Sequence, residues 1–290
     1  MALLEALRMY QWVKNLLVFA PLVFAKRLFD PEAASRAGLA FLAFSLVASA
    51  IYLFNDLFDV ERDREHPQKR ERPLPSGRLS IQVARIAFVV LALGGIAIGV
   101  LAPLSFHLPL TAYFALNIAY SARLKHIAII DTMCIATGFV LRVLTGGLAI
   151  GQPVSGWLML CTFFIALMLA FCKRRHEISL LGEDSSAHRR ALDDYSLHFL
   201  DQLIAPLGAL TVTTYALYTV APQTIEKFGT DKLIFTVPFV VYGVFRYLFL
   251  VHMRSEGGNP TRLLLKDKPT LVNVLLWGAV AIWAVYGGAL

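Results

Sequence analysis

Apolar residues run along this chain in long blocks separated by polar stretches. Most blocks approach the roughly 20 residues that an α-helix needs to cross about 30 Å of hydrocarbon, so they predict membrane-spanning helices and not barrel strands. The spans are placed at 10–28, 35–55, 81–102, 107–121, 127–149, 155–172, 200–221, 232–253 and 270–288, nine in all. The fourth is short, but the stretch from Tyr113 to Tyr120 is apolar enough to need lipid or protein around it. The first contains Pro21 and lacks a small-residue cleavage site, so it reads as a span and not as a signal peptide. The pattern therefore predicts an all-α, polytopic membrane protein forming a single transmembrane domain over 1–290.

Composition agrees. With 57% hydrophobic and 16% charged residues and a mean hydropathy of +0.62, a 290-residue chain is far too apolar for a soluble domain. Cys134, Cys161 and Cys172 lie in or beside apolar runs, with no CxxC and no nearby His pair, so neither a disulfide framework nor a zinc site is expected. Charge sets the orientation. With the N-terminus inside, the cytoplasmic segments carry 19 Lys and Arg residues and the outside loops carry 5. That bias predicts a topology with the N-terminus and the two long loops, 56–80 and 173–199, in the cytoplasm and the C-terminus outside. Chemistry then belongs on the cytoplasmic face.

One loop opens on a pattern that membrane anchoring does not explain. The second span ends in Asn55-Asp56-x-x-Asp59-x-x-x-Asp63, and on a continuing helix that spacing puts all three carboxylates on one face. Like charges so placed repel, and a divalent cation relieves them, so Asn55, Asp56, Asp59 and Asp63 are candidate Mg²⁺ ligands and the three aspartates candidate catalytic residues. Behind them come Arg62, Lys69, Arg70 and Arg72, then Pro73-Leu74-Pro75-Ser76-Gly77. Carboxylates followed by guanidinium and ammonium groups suit a diphosphate, with Mg²⁺ bridging carboxylate and phosphate oxygens. Within the spans, Lys14, Arg85, Asp131, Arg142 and Arg246 each need a cavity or a partner. Asp131 and Arg142, eleven residues apart, are about 16 Å apart in rise and do not pair directly. Tyr52 and Asn117 are weaker candidates.

The acidic stripe with its Arg72-to-Gly77 sequel resembles the first aspartate-rich motif of the UbiA superfamily of intramembrane prenyltransferases. That resemblance implies nine helices around a central cavity open to the cytoplasm and the bilayer. Three further stretches resemble one branch, the decaprenyl-phosphate phosphoribosyltransferases: Gln11-Trp12-Val13-Lys14-Asn15 through Pro21, Tyr120-Ser121-x-x-Leu124-Lys125 with Asp131 six residues on, and Lys173-Arg174-Arg175-x-Glu177. The branch implies transfer of 5-phosphoribose from phosphoribosyl diphosphate (PRPP) to a polyprenyl phosphate, with inversion at the anomeric carbon. It adds Lys14, Tyr120, Lys125, Asp131, Lys173, Arg174 and Glu177 as candidate substrate contacts; Tyr195, outside these stretches, is a weaker candidate. Aromatic prenyltransferases of the superfamily carry a second acidic motif after span six, where this chain is basic, and a basic cluster suits the separate 5-phosphate of PRPP. An aromatic prenyltransferase using a polyprenyl diphosphate is the first alternative and an ion or phosphate transporter the second. The expected partners are PRPP, the lipid phosphate and the membrane, with no nucleic acid; homo-oligomerisation is left open.

Overall fold

The structure, a computed structural model, describes residues 1–65, 69–101, 106–181, 194–254, 257–258 and 260–287. Of the four acids that follow the basic cluster in the second loop, Glu183, Asp184, Asp193 and Asp194, the first three lie outside the described residues. The described residues form helices and no strand: α1 (Ala2–Ala6), α2 (Ala20–Phe24), α3 (Pro31–Phe58), α4 (Val60–Glu65), α5 (Ile81–Leu101), α6 (His107–Ala122), α7 (Ile130–Ala149), α8 (Gly156–Leu181), α9 (Leu197–Val220), α10 (Pro222–Phe228), α11 (Val237–Met253), α12 (Pro260–Lys266) and α13 (Lys268–Tyr286).

Among the described residues, seven helices are long and apolar enough to cross a membrane, and they match seven of the nine expected spans. The first and fourth differ. Residues Met9–Phe19 wind as an 11-residue 3-10 helix that hands over to the five-residue α2, where Pro21 sits at the helix start. The fourth is α6, at 16 residues. Long apolar side chains on the spans stay exposed, as on α5 at Ile86, Val89, Val90 and Leu93, which is the surface lipid requires.

The chain divides into two compact units, 1–124 with 141–153, and 125–140 with 154–290. In the first, Asp30 caps α3 by accepting from the Glu32 and Ala33 amides, with Pro31 in the first turn. Buried Ala37, Ala40, Ala43 and Ala50 give α3 a surface of small residues. Such surfaces let helix backbones approach closely. The approach is closest at Gly95 of α5, where a Cβ would lie 2.8 Å from the Ala43 carbonyl oxygen. The 3-10 segment is held more tightly still. A Cβ on Gly146 of α7 would lie 1.9 Å from the Val18 carbonyl oxygen.

One turn earlier on α7, Arg142 lies buried beneath that segment. Its Nε donates to Asn15 Oδ1 at 2.8 Å and its Nη2 to Tyr113 Oη at 3.0 Å, while the guanidinium stacks on the rings of Phe44 and Tyr113. Asn15 in turn donates to Ser45 Oγ at 3.0 Å. Arg142 is thus bound by polar side chains of the 3-10 segment and α6, not by Asp131, as the rise between the two requires.

In the second unit, α8 and α9 pack through Met168, Phe171, Cys172, Leu200, Ile204 and Leu207, joined by Val244 and Leu250 of α11. Ser196 caps α9 by accepting from the Phe199 amide at 3.1 Å. Arg246, unassigned from sequence, forks onto Asp267 at 2.7 and 3.1 Å, and Asp267 also caps α13 through the Thr270 amide.

Candidate functional site

The acidic stripe lies where α3 gives out. Asp59 ends α3 at φ −98° and ψ 8°, and α4 begins on the next residue. Helical hydrogen bonding nevertheless continues across the bend, with Asp59 N–H on the Asn55 carbonyl at 2.9 Å and Asp63 N–H on the Asp59 carbonyl at 2.8 Å. Asp56 and Asp63 therefore keep a common side. Both are buried, and one guanidinium bridges them: Arg72 Nη1 stands 2.7 Å from Asp63 Oδ2 and 3.3 Å from Asp56 Oδ1.

Arg72 is placed by its own loop. Pro73, Leu74 and Pro75 are buried, Leu79 N–H closes onto the Pro73 carbonyl at 2.8 Å, Ser76 N–H onto the Arg72 carbonyl at 3.0 Å, and Gly77 takes φ +76°. A left-handed turn of that kind favours glycine. Lys69 Nζ stands 3.9 Å from Asp63 Oδ1. Asn55 accepts from the Ser121 hydroxyl of α6, so the two expected motifs meet there. Asp59 and Lys14 are half-buried, as is Tyr120, whereas Arg62 and Arg70 are exposed.

The site also contains a residue that sequence reading counted only as a topological charge. Arg8 Nη2 stands 2.5 Å from Asp56 Oδ1, and its guanidinium lies over the Tyr52 ring. It joins Asp56 from 48 positions away, beyond any helical spacing rule.

Among the described residues, no three His, Cys, Asp or Glu side chains are gathered closely enough to hold a metal ion. Mg²⁺ does not ask for that. It is usually held by one or two carboxylates, with water and phosphate oxygens completing an octahedron. A buried pair such as Asp56 and Asp63, with Asp59 between them at the helix end, fits a cation that shares its coordination with a phosphate ligand.

The second unit gathers the other expected residues. Arg174, almost fully buried, donates from Nε to Asp131 Oδ2 at 2.6 Å and from Nη1 to Glu177 Oε2 at 2.5 Å. Tyr195 Oη donates to Asp131 Oδ1 at 2.9 Å and accepts from Ile129 N–H at 2.5 Å. Burial pushes the Tyr195 hydroxyl up to about 12, so it remains a donor to Asp131 at neutral pH. Ile129 takes φ 68°, rare for a β-branched residue, and the Tyr195 bond secures that turn. Lys173 Nζ lies 3.8 Å from Glu177 Oε1, and Lys125 is buried. Asp131, Arg174, Glu177 and Tyr195, expected as substrate contacts, thus bond to one another. Arg175 and His252 meet on Asp201, a link the sequence did not suggest.

Removing one partner of a buried ion pair strands the other charge, at about 3–5 kcal/mol. Arg174→Ala is therefore expected to lower the thermal midpoint of the detergent-solubilised protein markedly. Arg174→Lys should recover little of it, because an ammonium cannot reproduce the planar fork to two carboxylates.

Known proteins resemble this chain over nearly its full length. The UbiA prenyltransferase family matches residues 16–266. The chain is 35% identical over 297 aligned positions to a decaprenyl-phosphate phosphoribosyltransferase of Corynebacterium glutamicum, across 98% of this chain and 86% of that protein. It is 31% identical over 289 positions to the protein of the same name from Mycobacterium tuberculosis, across 98% of this chain and 94% of that one. Among solved structures, a UbiA homolog from Archaeoglobus fulgidus bound to GPP and Mg²⁺ matches with a TM-score of 0.75 at 20% identity, over 98% of this chain and 99% of that one, which shows a shared fold.

Proposed function

The chain belongs to the UbiA prenyltransferase family, and on that premise we propose that it transfers 5-phosphoribose from PRPP to a polyprenyl phosphate, releasing diphosphate, in a Mg²⁺-dependent reaction on the cytoplasmic face. The observation that carries the reading is the paired burial of Asp56 and Asp63 around Arg72 at the end of α3. Relatives that share about a third of their residues over nearly the full chain, and are named for this activity, support the choice of donor and acceptor. The Lys and Arg bias supports the cytoplasmic orientation.

A phosphate monoester is already anionic at neutral pH, so the lipid acceptor attacks the anomeric carbon without a general base. The difficulty is the departure of diphosphate from a carbon that takes on positive charge. Asp56, Asp59, Asp63 and Asn55 would hold Mg²⁺, which would supply electrostatic stabilisation of that leaving group. Arg72 and Lys69, beside the same carboxylates, bind phosphate oxygens and fix the donor in line for displacement with inversion. In the second unit, the Arg174–Asp131 pair fixes the turn of α8 that carries Lys173, the remaining candidate substrate contact of that cluster. The exposed apolar helix surfaces keep the polyprenyl tail of the acceptor in lipid.

The test is direct. Purified protein is incubated with labelled PRPP and polyprenyl phosphate, with and without Mg²⁺, beside a parallel reaction with a prenyl diphosphate and an aromatic acceptor. Label is expected in the lipid fraction only with PRPP and Mg²⁺. Transfer in the parallel reaction alone would assign an aromatic prenyltransferase instead.

A further inference from the structure

Arg8 is held in a backbone conformation that a non-glycine residue adopts only under constraint. At φ 51° and ψ 46° it is left-handed, a state that a side-chain-bearing residue seldom adopts. Such residues persist where their surroundings over-determine them. Here the surroundings are explicit. Glu5, one turn earlier on α1, is gripped by Nη1 and Nη2 of Arg78 at 2.8 and 3.0 Å. Ala6, with Leu3 and Leu7, packs on Leu53, Leu74 and Leu79. Ser49 Oγ donates to the Leu7 carbonyl at 3.0 Å. The turn at Arg8 then sends its guanidinium over Tyr52 and onto Asp56 Oδ1.

The bonds around the carboxylate pair divide unevenly. Asp56 Oδ1 takes both Arg8 and Arg72, Asp63 Oδ2 takes Arg72, and Asp63 Oδ1 faces Lys69. Asp56 Oδ2 takes none of these contacts. Two carboxylates are thus met by two guanidinium groups and an ammonium, so the pair presents no net negative charge to an approaching cation. Phosphate groups alter that balance, because they bring negative charge of their own and draw the Arg72 guanidinium to themselves.

We propose that Arg8 is a positioning residue of the carboxylate site: it holds Asp56 by one oxygen, turns the other toward the metal, and with Arg72 neutralises the pair so that a divalent cation binds firmly only together with the phosphate groups of its substrate. The inference rests on Asp56 and Asp63 as metal ligands. Arg8 itself touches neither metal nor substrate.

The test reads metal binding apart from turnover. Mn²⁺ stands in for Mg²⁺, and its bound fraction is measured by electron paramagnetic resonance on the full-length protein in nanodiscs, with and without inorganic diphosphate. The unaltered protein should bind Mn²⁺ weakly alone and at least about tenfold more tightly with diphosphate. Arg8→Gln, which keeps a hydrogen-bond donor but removes the charge, should tighten binding of Mn²⁺ alone by at least about fivefold, since the positive charge paired with Asp56 is gone. The advantage from diphosphate should shrink accordingly, and adding Asp56→Asn to Arg8→Gln should remove the gain. Arg8→Ala carries the same prediction should Arg8→Gln not elute as a folded species. A folded Arg8 variant that binds Mn²⁺ alone no better than the unaltered protein overturns the role of Arg8. Absence of Mn²⁺ binding in every form, even with diphosphate, overturns the metal reading of Asp56 and Asp63 and the inference with it.

Discussion

Asp59→Asn is expected to lower turnover by at least about tenfold to a hundredfold while leaving the protein folded, through loss of metal stabilisation of the leaving group. The expectation rests on where Asp59 stands. It is half-buried at the bend between α3 and α4, and its backbone keeps the hydrogen-bond run from Asn55 to Asp63 intact whatever its side chain carries. Asparagine retains the shape and the helix-ending preference of aspartate but removes the charge. The measurement is initial transfer rate against Mg²⁺ concentration, alongside a melting curve. An unchanged rate and Mg²⁺ requirement would remove Asp59 from the metal site. The same change at Asp56 is less clean, because it would leave Arg8 and Arg72 beside a buried neutral amide and disturb the fold as well as the chemistry.

Gly146→Ala should have the largest effect on folding. The added methyl would fall 1.9 Å from the Val18 carbonyl oxygen and 2.8 Å from its carbon, so two backbones must part, where usually one flexible side chain could yield. An added methylene in a packed core usually costs about 1–3 kcal/mol, and this case belongs at or above the upper end because the obstacle is main chain. A fall of roughly 5–10 °C in thermal midpoint, or failure to elute as a single species, is the expected reading. Gly38→Ala is the control. It lies on α3 with nothing within 4 Å of the new methyl, and there alanine should be neutral or stabilising by up to about 1 kcal/mol. A Gly146 variant as stable as the Gly38 variant would show that the 3-10 segment does not press on α7.

Helical spacing made the acidic stripe legible. Residues three and four apart share a face, and Asp56 and Asp63 do so despite the bend because hydrogen bonding continues through Asp59. The seven long apolar helices were legible for an equally simple reason: lipid demands an uninterrupted apolar run of a fixed length. Contacts that depend on packing were not. Nothing in the spacing of Arg8 connects it with Asp56, or Arg142 with Asn15, because those pairs are made by segments far apart in the chain. Arg174 illustrates a subtler gap. Its charge and position identified a cluster, but only the structure shows its donors spent on Asp131 and Glu177, leaving Lys173 as the outer cation of that motif. Burial decides such cases, and burial is a property of the fold.

The 3-10 winding of Met9–Phe19 has a consequence in length. A 3-10 helix rises about 2.0 Å per residue against 1.5 Å for an α-helix. Eleven residues at the first pitch and the five of α2 at the second sum to an axial rise of roughly 30 Å from sixteen residues, the thickness of a bilayer's hydrocarbon core. The sixteen residues of α6, wound throughout as α-helix, reach only about 24 Å. Stretching the helical spring thus lets a segment four residues short of an ordinary span match the membrane, with Arg8 anchored at one end of it.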